Sequence, residues 1–394
     1  MLSVNEAIGT LLENCEQLVD SEQVSLMEAT GRTLANDVVA PIDVPPADNS
    51  AMDGYAIRYA DWKGTDTAIP LSQRITAGSV PGKLAEGSAA RIFTGAEVPE
   101  GADTVVMQEH CSEEAGAVRI LKLPVERANI RRRGQDLATG QTVLTAGHRL
   151  RSQDLGLAAS LGFAEISVYR RLKVAVMSTG DELREPGEAI QPGQIYNSNR
   201  YTMKSQLETW GFEVIDLGVA RDEHEAVRDM MSQAAGEADV VVTSGGVSVG
   251  EEDHVKAVVE ELGAINLWKI AVKPGKPFAF GQVCGTPFIG LPGNPVSVFV
   301  TMLVIARPYL FACQGNADTG VHAVRQIARF SKKASQREDY LRVRSLDDGV
   351  QLFTNQSSGV LYSTSWGDGL VRQAVGEEVR EGEPVDFLPF ALFN

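Results

Sequence analysis

The segment that most constrains this chain is Val240–Val255, VVVTSGGVSVGEEDHV. Three β-branched residues run into a Gly-Gly turn, and a second small-residue turn then delivers a group of carboxylates. A buried strand that ends this way, with a helix to follow, belongs to an open α/β sheet. It exposes backbone N–H groups at the strand's C-terminal end, where such sheets bind phosphorylated ligands. Glu251, Glu252 and Asp253 would repel a phosphate unless a divalent cation bridged them, so the loop reads as a site for a nucleotide with Mg²⁺. The plainer reading is a tight strand–helix turn with a solvated acidic start.

The surroundings extend this pattern. From Leu172 to about Leu310 the chain alternates strands with helices of 10–15 residues: KVAVMS, a helix from about Asn199 to Trp210, EVIDLG, a helix opening at Asp222 with Glu225 as a capping box, DVVVTS, and a helix over about Asp253–Leu262. That alternation predicts a largely parallel sheet covered on both faces. Other regions differ in texture. Residues 41–140 are rich in Gly, Pro and short β-type runs such as Ala89–Thr94 and Asp103–Gln108, and read as a β-rich insertion. It divides a helical and extended domain formed by 1–40 and 141–169. In that domain Ser3 and Glu6 make a capping box, and a helix carrying Leu155, Ala158, Ala159 and Leu161 is expected to pack on the N-terminal helix. The α/β domain spans 170–315. In 316–394 the alternating runs YLRVRSL, VQLFT and LVRQAV predict a small antiparallel barrel or sandwich.

A length of 394 residues exceeds one ordinary core. With 36 basic against 52 acidic residues the formal charge is −16, which argues against nucleic acid as a bulk partner and requires any anionic ligand to find a local basic pocket. MLSVNEAIGTLLENC lacks the character of a signal peptide, and the apolar runs fall short of a membrane span, so no membrane partner is expected. Cys15, Cys111, Cys284 and Cys313 form no CxxC pair and suit a reducing cytoplasm. No Cys/His cluster has zinc spacing.

Several loops carry candidate chemistry. Ser178-Thr179-Gly180-Asp181-Glu182 resembles Thr243-Ser244-Gly245-Gly246, and in a parallel sheet both emerge on the same edge. Hydroxyls and glycine N–H groups there can hold phosphate, while Asp181 and Glu182 can accept from a donor-rich heterocycle. Gly290–Ser297, GLPGNPVS, follows an apolar strand, with Asn294 suited to an N-cap and Pro295 to a first helical turn. In Trp268–Lys276, an extended 268–273 would put Lys269 and Lys273 on one face, with Lys276 just past a Pro-Gly turn, making an anion site. The polar loop Pro45–Tyr55 could converge with Phe93–Ala96 and with Arg131–Asp136, whose guanidiniums suit anions. Each loop alone has an ordinary structural reading as a turn or a solvated surface.

Taken together, DNSAMDGYAIR, IFTGAEVPEGADTVVMQE, RRRGQD, STGDEL, NSN, TSGGVSVGEEDHV, KPGKPFAFG and GLPGNPVSVFVT closely resemble, in order, the blocks of the molybdopterin molybdenumtransferase family, MoeA of bacteria and the C-terminal domain of gephyrin in animals. The resemblance implies four domains, a homodimer, and a site shared between the α/β domain of one subunit and the β-rich domain of the other. It implies that adenylylated molybdopterin and molybdate react with Mg²⁺ assisting, releasing AMP and molybdenum cofactor. Matched position by position, Asp53, Thr94, Asp136, Glu182, Lys269 and Lys273 are the implied catalytic residues. Thr179, Gly180, Asp181, Asp222, Ser244, Gly245, Gly246, Ser248, Lys276, Pro292 and Pro295 are implied for substrate, and Asp253 with Glu182 for the metal. Arg342 and Ser358 would serve molybdate, although Gln356-Ser357-Ser358 departs from the family's usual Gln-Gly-Ser. Molybdopterin adenylyltransferase and proteins that deliver cofactor to molybdoenzymes are the implied protein partners. The alternatives are an adenylyltransferase, which shares only the α/β domain, and a scaffold that binds without turnover.

Overall fold

The computed structural model describes residues 1–246 and 254–394; Ser248, Asp253, Glu251 and Glu252 therefore lie outside the described residues. Two compact units are present. One comprises Met1–Asn36, Ala146–Arg151 and Glu165–Asn394, the other Asp37–Thr145 with Ser152–Ala164.

The first unit is organised by a six-stranded sheet in the order Glu213–Ala220, Lys173–Thr179, Val240–Ser244, Thr286–Leu291, Pro277–Val283 and Gly263–Lys269. The first four strands are parallel, and the last two are added antiparallel. Their near-continuous hydrophobic runs follow from burial on both faces. Val174, Val176, Val240, Val242, Ile289 and Leu291 face one core, with Met203 and Leu207 of the Ser198–Thr209 helix. Ala175, Met177, Val241 and Phe288 face the other, with Val227 and Met231 of His224–Glu237 and Val255 and Val258 of His254–Leu262. The helix expected at Asp222 starts two residues later. Its N-cap is Glu223, which makes no side-chain cap bond, so the capping box is not formed.

The N-terminal helix, Val4–Glu13, has the expected capping box: the Ser3 side chain accepts from the Glu6 amide, and Glu6 accepts from the Ser3 amide at 2.7 Å. Its buried face, Val4, Ala7 and Leu11, enters the core with Leu303, Leu310 and Cys313. The N-terminal helix packs on the apolar helix Pro295–Cys313, and the Ser152–Ser160 helix belongs to the other unit. That helix is long and apolar enough to cross a membrane, with mean hydropathy 1.9, yet it is 89% buried as a core element. A π-turn at Met302–Ala306 directly precedes Arg307-Pro308, which accommodates the amide hydrogen that proline lacks. Here Cys15 meets Cys313 with Sγ atoms 3.4 Å apart, a pairing that their separation in the sequence conceals.

The C-terminal strands form a second sheet in the order Val272–Lys273, Glu338–Leu346, Gly369–Gln373, Pro384–Pro389 and Val324–Ile327, with Gly349–Leu352 hairpinned on Glu338–Leu346. A bridge between Ala328 and Val350 curls it around Phe330, Leu341, Val343, Val371 and Phe387. The second unit holds another six-stranded sheet, ordered Thr104–Met107, Gly54–Ile57, Ala89–Ile92, Ala68–Ile75, Ala117–Ile120 and Cys111–Glu114.

Phe288 is fully buried between the central sheet and its covering helices. Phe288→Ala is expected to cost about 3–5 kcal/mol of stability, measured by chemical denaturation.

Candidate functional site

Register places the candidate loops along one edge of the central sheet. Thr179 pairs with Ala220, Ser178 with Ser244, and Ser244 with Leu291, so four parallel strands end abreast. Ala279 pairs with Gly290 and Lys269 with Pro277 in antiparallel fashion, which brings Lys276 and Lys269 to the same edge. The candidate residues along the edge fall in an order of charge, with Arg221 and Arg184 interspersed at the acidic end. Asp222, Asp181 and Glu182 stand at one end, Gly245, Gly246, Pro292 and Gly293 in the middle, and Lys276 and Lys269 at the other. Six strands about 4.8 Å apart make this row roughly 24 Å long.

Local geometry keeps the middle of the row open. Gly245 and Gly246 have φ of +87° and +63°, values that favour glycine. Gly245 N–H donates to Leu291 O at 3.1 Å, and a Cβ on Gly293 would lie 3.9 Å from Gly245 Cα, so the two loops pack closely. Asn199 Nδ2 donates to Gly293 O at 2.7 Å and pins the GLPGNP loop from the helix that follows the acidic end. Gly180, at φ +141°, leaves space over which Glu182 folds back, since a Cβ there would meet its carboxylate at 2.5 Å. The acidic loop is a turn rather than a helix start; Leu183–Arg184 pairs with Ile195–Tyr196 before the helix begins at Ser198. The Asp222 amide lies 3.4 Å from Asp181 Oδ1 and links the two acidic strand ends.

Pro295 occupies the first turn of its helix and Asn294 the N-cap, as expected, though the Asn294 side chain makes no cap bond. The orphan amide of Val296 donates instead to Ser358 O at 3.0 Å. Ser358 thus reaches this edge from the C-terminal sheet. Arg342 is fully buried below it and donates to Tyr340 O, Ser357 O and Ser363 Oγ at 3.2–3.3 Å. Burial lowers its guanidinium to about 10, with Asp339 opposing.

The lysines do not share one strand. Gly263–Lys269 ends in the central sheet, whereas Val272–Lys273 is an edge strand of the C-terminal sheet beside Glu338 and Asp339. Period-two alternation is broken at Ile270-Ala271, where the chain takes its backbone partners from Leu2 and Lys276. Lys273 Nζ lies 3.0 Å from Asp339 Oδ2, while Lys269 and Lys276 are exposed. Gly275 allows the Pro-Gly turn to sit on the helix at Ser297 and Thr301; a Cβ there would meet Thr301 Cγ2 at 2.4 Å.

The second unit brings together its own polar loops as the sequence suggested. Asp53 Oδ1 accepts from the Thr94 amide and hydroxyl, both at 2.8 Å. Asp48 accepts from Arg132 at 2.6 Å and from the Arg133 amide at 2.8 Å, and the Asp136 amide donates to Val44 O at 2.9 Å. Arg91 and Arg74 each lie over the Phe93 ring, at 4.6 and 4.7 Å. Sequence reasoning missed Asn199 as a loop anchor, Asp339 as the partner of Lys273, and the arginines over Phe93. The NSN block contained the first, but residues distant in sequence define the others.

The edge defines the class of fold: an α/β protein whose parallel strands end in a row of glycine turns flanked by carboxylates and lysines. Family models match the MoeA N-terminal region (domain I and II) over residues 2–162, the probable molybdopterin binding domain over 175–312, and the MoeA C-terminal region (domain IV) over 326–390. A molybdopterin molybdenumtransferase of Haemophilus influenzae is 46% identical over 316 residues, covering 80% of this chain and 78% of its own. One of Nostoc is 38% identical, covering 77% and 72%. Two solved MoeA structures from Pyrococcus horikoshii superpose with TM-scores of 0.87 and 0.80 at 27% and 32% identity; each covers 99% of this chain, and 100% and 99% of its own. The chain belongs to the molybdopterin molybdenumtransferase family, whose work is molybdenum insertion in cofactor biosynthesis.

Hydrogen bonds from the Thr94 amide and then its hydroxyl hold the Asp53 carboxyl below its ordinary value. A depressed value means that the stability this carboxylate contributes is complete above the unfolded pKa, about 3.9, and is lost as the pH falls through the folded-state pKa. Thr94→Val should therefore raise the Asp53 pKa and move that loss to higher pH. Carboxyl ¹³C NMR titration reads the change, and an unmoved Asp53 titration would show that the hydroxyl does not contribute.

Proposed function

We propose that the edge row binds adenylylated molybdopterin, and that the chain inserts molybdenum from molybdate with release of AMP. The observation that carries this reading is the order of groups along the edge. A ligand with a donor-rich pterin at one end, a diphosphate link and a nucleotide needs carboxylate acceptors, a glycine-lined passage and cations in one line, and the row supplies all three. Ser244, Gly245 and Gly246 line the phosphate passage, because no Cβ at either glycine blocks approach, while the Gly245 amide is taken by Leu291 O and fixes the turn. Thr179, Gly180 and Asp181 shape the acidic end, with Asp222 beside them. Pro292 and Pro295 stiffen the loop against the ligand. Lys269, Lys273 and Lys276 offset the charge of molybdate and of the diphosphate as its P–O bond breaks and AMP leaves. Arg342 and Ser358 shape the loop that meets the lysine side of the row.

Mg²⁺ suits the donor chemistry, since Glu182, Asp181 and Asp222 are hard oxygen ligands gathered at one edge; among the described residues no group of three carboxylate, His or Cys side chains is close enough to form a metal site by itself. Glu182 would hold the ion with Asp253, and the ion supplies charge neutralisation at the phosphates. A homodimer is the proposed assembly, in which Asp53, Thr94 and Asp136 of the partner subunit complete the site. The four free cysteines fit a reducing cytoplasm. Exchange with a molybdopterin adenylyltransferase upstream and with cofactor-delivery proteins downstream would follow from this place in the reaction sequence.

The test is molybdate-dependent AMP release from adenylylated molybdopterin by the full chain with Mg²⁺. Asp53→Ala and Glu182→Ala are each expected to abolish it, and EDTA to suppress it. Mixing the two inactive variants under subunit exchange should restore part of the activity, because half of the mixed sites carry neither substitution. Tight binding without release under any condition would instead favour a scaffold.

A further inference from the structure

Asp339 is a completely buried carboxylate on the Glu338–Leu346 strand, and among the described residues neither of its oxygens has a hydrogen-bond donor. Its cross-strand neighbour Gln373 gives its amide hydrogens to Lys333 O and Glu377 O, and among the described residues its buried Oε1 has no donor either. Arg342, three residues along, directs its bonds to Tyr340, Ser357 and Ser363. The cation in contact with Asp339, among the described residues, is Lys273: its Nζ lies 3.0 Å from Oδ2, placed as an ion pair but off the line of a hydrogen bond. Main-chain pairing supports the contact. Lys273 is in register with Asp339, the Glu338 amide donates to Ala271 O at 2.9 Å, and Arg337 Nη1 donates to Val272 O at 3.1 Å.

A buried carboxylate whose direct partner is one off-axis ammonium is costly to a fold, even with the buried Arg342 guanidinium adding a longer-range attraction. It does confine one flexible charge. A lysine ammonium rides on four carbons and sweeps a wide volume unless something fixes it. Here the ammonium stands at a boundary, with Asp339 1% exposed on one side and the Lys273 side chain 38% exposed toward solvent on the other. The exposed part of the charge stays free for a ligand anion while the buried partner sets its position.

We infer that Asp339 is the positioning residue for Lys273, reaching the reaction from the C-terminal sheet without touching substrate. The inference rests on the reading that Lys273 meets an anionic group of the substrates. Asp339→Asn keeps the shape and removes the charge, and should lower kcat/KM for molybdate-dependent AMP release by roughly tenfold. Its melting temperature should hold or rise, because a buried charge has been exchanged for a neutral amide. Lys273→Met should lower the melting temperature by stranding Asp339, and adding Asp339→Asn should restore stability but not activity. In the Asp339→Asn background, Lys273→Met should cost much less activity than it does in wild type. Wild-type kcat/KM in Asp339→Asn would overturn the role, as would a parallel loss of activity and melting temperature, which marks a purely structural residue. A wild-type chain that releases no AMP with molybdate would overturn the functional reading and this role with it. A wild type that turns over alongside an equally active Asp339→Asn overturns the role alone.

Discussion

Burial of the four parallel strands on both faces is the constraint from which the rest follows. Val174, Val176, Val240 and Val242 serve one core while Ala175, Met177 and Val241 serve the other, so a one-residue slip would exchange the faces of a whole strand. That penalty holds Thr179, Ser244 and Leu291 abreast. The apolar runs give way to buried hydroxyls at Ser178, Thr243 and Ser244, and the glycine turns and charged residues collect beyond them at the strand ends. The candidate edge is where the hydrophobic pattern stops.

Elements far away in sequence complete that edge. The C-terminal sheet captures Val272–Lys273 as an outer strand and returns the carbonyl of Ser358 to the orphan amide of Val296. Both contacts use backbone groups that would otherwise face an unmet hydrogen-bonding demand. They also place the lysine turn beside the helix it packs on, where Gly275 permits an approach that any side chain would block. This stitching gathers lysines at one end of the edge in a strongly acidic chain.

Much of this was legible beforehand because it depends on local physics. The strand-end loops, the Ser3–Glu6 capping box, Pro295 in a first helical turn and the convergence of Asp53 with Thr94 were readable from residue type and spacing. Errors arose where tertiary contacts override local pattern. Lys269 and Lys273 look like one strand, but the chain breaks at Ile270 to serve two sheets. The Asp222 box does not form, because this residue packs with the acidic turn at Asp181. Nothing near Asp339 in the sequence marks it as the partner of a lysine 66 positions earlier.

The sequence by itself determined the classes of secondary structure, the alternation that makes a parallel sheet, the motif blocks of the family and the residue types available for anion and metal chemistry. These depend on periodicity and on side-chain chemistry, which are written locally. The tertiary structure alone decided the order of charges along the edge, the partner of Lys273, the cap on the Pro295 helix and the meeting of Cys15 with Cys313. Each of those depends on which strands lie side by side. That choice is settled by burying two cores at once, a global condition that no short stretch of sequence contains.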